Sequence, residues 1–115
     1  MSAALNRTKS AVSAGALACL VAWASLANAE DFTAGVVMTK MDAKERSAYM
    51  AGVIEGLAYA RYHSDGNKTD GMGCIYRWYY ETDGTIAKIH SAFDAFPDYL
   101  SGAVIAAMVG KVCGE

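Results

Sequence analysis

The stretch that most constrains this chain is Ala48 to Tyr62, reading AYMAGVIEGLAYARY. Outside the first thirty residues it is the longest apolar run, and its period is helical. Tyr49, Val53, Leu57 and Ala60 fall on one side, with Met50, Ile54 and Arg61 beside them. Gly52 and Gly56 lie four apart between Ala48 and Ala60, a flat ridge against which another backbone can close. In a membrane that spacing marks a helix-pairing face. Here the run is too short and carries Glu55, so it reads as the buried central helix of a small soluble domain. Asp42 followed by Glu45 fits an N-cap with a reaching carboxylate, so the helix is expected to run from there to Tyr62. At 1.5 Å per residue it would be about 31 Å long, enough to span a small domain.

The first 29 residues read as an address rather than as structure. Arg7 and Lys9 form a positive head, Ala11 to Leu26 an apolar core, and Ala27-Asn28-Ala29 a small-x-small triplet before Glu30 and Asp31. That order is a secretory signal peptide with cleavage between Ala29 and Glu30. The apolar core falls short of a comfortable span of about 20 residues, and Cys19 lies inside it without the leucine spacing of a lipoprotein. Removing residues 1–29 from the 115 leaves 86, enough for a single domain over residues 30–115. Without Arg7 and Lys9 the remainder has eight basic and twelve acidic side chains, a net charge of −4. Such a chain is a poor match for nucleic acid or for anionic membrane surfaces.

Cys74 and Cys113 are the cysteines left after cleavage, an even pair in an oxidising compartment, and they are expected to form a disulfide. No His or third Cys stands near them at metal-ligand spacing, and His63 and His90 are isolated. The loop HSDGNKTDGMG, from His63 to Gly73, has a faint calcium-loop flavour, but the glycine is one place late and Tyr76 stands where the loop needs Glu. Neither a metal nor any other cofactor is expected.

Around these anchors the rest is helical. Asp31 to Met38 is expected to give one or two turns that lay Phe32 and Val36 on the core. Cys74 to Tyr80, CIYRWYY, is an aromatic knot, read as an extended or single-turn helical segment with Trp78 in the core and its tyrosines half in water. Ile86, Ile89, Phe93 and Phe96 give a helix from Thr85 to Phe96, stopped by Pro97. Leu100, Val104, Ile105, Met108 and Val112 stripe a last helix that ends at Cys113-Gly114, where glycine suits the position past a helix end. The fold class is therefore all-α: a small bundle of three to four helices around a long central one, with one disulfide.

No catalytic constellation is legible. There is no phosphate loop, no HExxH and no CxxC, and both cysteines are spent in the expected disulfide, so the chain reads as a non-enzyme. Glu55 is the one oddity. A carboxylate on the long helix must reach solvent or find a partner, and Tyr59, Tyr62 or Arg77 is the expected one. Glu55 is either a structural hydrogen-bonding group or, with Tyr76 and Tyr79, part of a contact surface for a protein partner; tyrosine supplies rigid amphipathic area at such surfaces.

A secretory signal, an acidic-capped helix reading YMAGVIEG, a polar loop, a cysteine, an amphipathic helix, a proline and a last helix ending in cysteine together resemble the Rap/Tai family of type VI secretion amidase immunity proteins. Tyr49, Gly52 and Glu55 match that family's Tyr-x-x-Gly-x-x-Asp/Glu pattern, and Cys74, Pro97 and Cys113 its cysteine–proline–cysteine order. The family's second cysteine pair has no counterpart between Met38 and Ala48. The resemblance implies a small periplasmic helical protein, often a homodimer, that binds and neutralises a secreted peptidoglycan amidase. A second reading is a periplasmic acid-stress chaperone of the HdeA/HdeB kind, similar in size, although there the first cysteine precedes the long helix and here it follows. A third is an orphan structural or interaction protein.

Overall fold

The computed structural model describes residues 32–115; the expected signal peptide, Cys19 and the expected cleavage position between Ala29 and Glu30 lie outside the described residues. Five α-helices follow one another: α1 (Ala34–Lys40), α2 (Ala43–Ser64), α3 (Asp70–Tyr76), α4 (Thr85–Ala95) and α5 (Ser101–Cys113). A π turn, Arg77–Glu81, continues α3. The described residues contain no strand, only one isolated bridge between Thr33 and Leu100.

The central helix forms where the sequence places it and for the reason given. The Glu45 amide donates to Asp42 Oδ1 at 2.8 Å, and the Asp42 amide donates to Glu45 Oε1 at 3.2 Å, closing a reciprocal capping box. The Glu45 amide holds the Asp42 carboxyl below its ordinary range. The helix runs on to Ser64, about 33 Å. Its buried side is Met50, Ile54 and Ala58, spaced four apart.

The short first helix is pinned at both ends. Its leading amides, which a helix leaves without internal partners, donate from Ala34 to the Tyr99 carbonyl (2.8 Å) and from Gly35 to the Pro97 carbonyl (2.9 Å). At its other end the Arg46 guanidinium reaches back from α2 to the carbonyls of Val37, Met38 and Met41. Ser101, wholly buried, donates its hydroxyl to the Phe32 carbonyl and shares a 2.7 Å bond with the Tyr49 hydroxyl. Ala34 and Val37 are therefore the residues that enter the core, whereas the ring of Phe32 is half exposed and Val36 half buried. Phe32 and Val36 are not the residues laid on the core because the helix starts only after the cap at Thr33, whose hydroxyl accepts from the Val36 amide, so Phe32 precedes it and Val37 rather than Val36 turns inward.

The 63–73 loop is shorter than its composition suggests, since α2 ends at Ser64 and α3 begins at Asp70. The aromatic knot is wholly helical: α3 runs into the π turn, Trp78 and Tyr79 turn inward, and the Thr85 hydroxyl donates to the Trp78 carbonyl at 2.7 Å to fix the exit. Ile75, Trp78, Ile89, Phe93, Ile105 and Val109 complete the core against α2. Ile86, Phe96, Leu100 and Val112, on the apolar stripes of the sequence, are each about half exposed; α4 and α5 find few neighbours and bury only a narrow stripe.

Cys74 and Cys113 are joined by a disulfide, their Cα atoms 5.8 Å apart. Beside it, Arg61 donates to the carbonyls of Cys113 and Gly114 and pairs with Asp65 at 2.9 Å. Gly71 must be glycine for this clamp, because a Cβ there would stand 2.5 Å from the Arg61 Nε. Gly114 closes α5 with a φ of 77°, a left-handed turn that favours glycine. The disulfide thus ties the end of the last helix to α3.

Candidate functional site

The fold brings Glu55 and the aromatic knot together. Glu55 points outward from the middle of α2, and α3 packs alongside. Tyr76, the last residue of α3, donates its hydroxyl to Glu55 Oε2 at 2.6 Å. Tyr80, in the π turn, donates to Oε1 of the same carboxylate at 3.3 Å. Both oxygens are engaged, and the two rings stack at 6.1 Å. Tyr79 meets Tyr80 edge to face at 4.8 Å and anchors it to the core.

The partners of Glu55 are not those expected. Tyr59, Tyr62 and Arg77 make no hydrogen bond to it; Tyr59 stacks instead on His63 with ring centroids 6.4 Å apart. Tyr79, expected at a contact surface, is 7% exposed and belongs to the core. Its place is taken by Tyr80, 54% exposed, a member of the aromatic knot not among the expected contact residues. The aromatic density at 76–80 was a usable signal for the surface, but only helical geometry decides which tyrosines point out.

The electrostatics follow from this packing. The Tyr76 phenol is pushed up chiefly by donating to the Glu55 carboxylate, since ionisation would break that bond and set two negative charges together. Burial raises the Tyr79 phenol, and Tyr80 is raised by partial burial and by the Glu55 charge. At neutral pH the cluster is one carboxylate held by two neutral phenols.

Alongside it the surface of α2 is bare. Gly52 and Gly56 are exposed, and a Cβ added to either would meet nothing within 4 Å. The glycine ridge, expected to pack against another helix of the domain, faces outward; the fold buries the side of α2 defined by Met50, Ile54 and Ala58 instead. Gly52, Glu55, Gly56, Tyr59 and His63 share one helix face, so uncovered backbone, a fixed carboxylate and the exposed rings of Tyr59 and His63 are contiguous there.

Chemically, the arrangement offers an incoming donor a carboxylate already held in place by two phenols. Among the described residues no hydrogen bond joins a histidine to a serine or cysteine, and no three metal-binding side chains cluster. No helix among them is long and apolar enough to cross a membrane. Comparisons with protein-family models, curated proteins and solved structures find no match for this chain.

Proposed function

We propose that this is a secreted, non-catalytic protein-binding module whose contact face is built from Glu55, Tyr76 and Tyr80 beside Gly52 and Gly56. The observation that carries the reading is the pair of hydrogen bonds that Tyr76 and Tyr80 donate to one exposed carboxylate. It fixes three side chains in advance, so less side-chain entropy is lost when a partner docks. The carboxylate retains acceptor capacity for an incoming donor, and the glycines let a partner approach the helix backbone closely.

The resemblance to the Rap/Tai family supplies the partner class: a secreted peptidoglycan amidase, bound and neutralised in the periplasm. The disulfide is consistent with an oxidising compartment. The test is capture from periplasmic extract by the tagged protein, with bound proteins identified by mass spectrometry. A stoichiometric cell-wall hydrolase is expected, lost on Glu55→Ala or Tyr76→Ala in variants that melt like wild type. Bait alone in the eluate would refute the reading. Dissociation at about pH 2–3 with protection of an aggregating client would transfer the protein to the acid-chaperone class.

A further inference from the structure

On a different face, α4 and α5 enclose an open groove of about 570 Å³, a volume within the range of small-molecule sites. Trp78 contributes to its wall, and Phe96 and Tyr99, packed edge to face at 5.6 Å, line the end where the two helices connect. Ala103, Ala107 and Met108 line the α5 side. The charged lining residues are Lys88 and Lys111. Lys88 lies in the first turn of α4 and Lys111 in the last turn of α5, so both stand at the helix ends remote from the connection. The one ion pair found among the described residues is Arg61–Asp65, which leaves both lysines without a carboxylate.

The groove is therefore polarised along its length, apolar at Phe96 and cationic at Lys88. Those two residues are eight apart, about 12 Å along the helix. We infer that this groove binds the single chain of a fatty acid, its carboxylate between Lys88 and Lys111 and its tail lying toward Phe96 and Tyr99. An extended peptide would bring backbone N–H and C=O groups that need partners, and this lining offers few. An acyl chain needs none, and its one anion meets both free cations.

The test is calorimetric titration of the protein with myristate below its micellar concentration. One saturable site is expected. Removing two methylenes should weaken binding about tenfold, and the uncharged C14 alcohol should bind at least tenfold more weakly than the acid. Lys88→Glu with Lys111→Glu should cost at least tenfold in affinity; both side chains are exposed, so the melting curve should not move. Ala103→Trp, also at an exposed position, should block the site by filling it. Absence of saturable binding, or equal affinity in the doubly charge-reversed variant, would overturn the assignment. So would an acidic amphipathic peptide that binds the groove while myristate does not.

Discussion

Replacing Gly52 and Gly56 by alanine should stabilise the protein. Both lie inside α2, away from its ends, and both have ordinary helical backbone. Alanine is favoured over glycine in a helix interior by about 0.8–1.0 kcal/mol, because the unfolded chain loses freedom it would otherwise regain. The added methyl groups would meet nothing within 4 Å, so no packing penalty offsets the gain. Together the pair should contribute about 1.5–2 kcal/mol, a sizeable fraction of a typical total of about 5–15 kcal/mol. In a domain of this size that corresponds to a rise of about 10 °C in melting temperature. Urea denaturation followed by circular dichroism would show the midpoint rising with its slope unchanged. A destabilised double variant would mean that the glycine face is covered in solution, and the reasoning from an open ridge would fail. A melting temperature that depends on protein concentration would then identify the cover as a second copy. The larger Gly56→Leu should likewise leave the fold intact, while blocking any partner that approaches the backbone there.

Loss of the disulfide in Cys74→Ser with Cys113→Ser opens a loop with a sequence separation of 39. Loop-closure entropy puts the loss at about 4 kcal/mol. Chemical denaturation measures it, and superimposable curves would show that the Arg61 clamp alone restrains the end of α5. Alkaline pH should destabilise the protein through the tyrosine cluster. Phenols raised in the folded state hold their protons more tightly there, so their contribution is complete below the unfolded value of about 10 and is lost as pH rises through the folded values. Stability measured against pH should fall above about pH 10, and Tyr76→Phe should shallow that fall. An unchanged slope in the variant would remove Tyr76 from the account.

The parts of this protein fixed by local chemistry were readable in the sequence. The capping box at Asp42 and Glu45, the stop at Pro97, the glycine past Cys113 and the helical period of α2 each depend on residues within a turn or two of one another. The same holds for the pairing of the cysteines, which needs only their number and an oxidising setting. Glu55 and Tyr76 were visible as candidates, but not that they touch. Their contact spans 21 residues and exists because α3 lies along α2.

What tertiary structure alone decided is which side of each helix is covered. An apolar stripe states what can be buried; the amount buried depends on how many neighbours the helix finds. Along α4 and α5, Ile86, Phe96, Leu100 and Val112 find too few, while Tyr79 is taken inside by a π turn that no residue pattern announced. Gly52 and Gly56 face outward because α2 buries Met50, Ile54 and Ala58 on another side. Side-chain chemistry set the elements and their ends. Competition among helix faces for one small core set the surface that is left to bind.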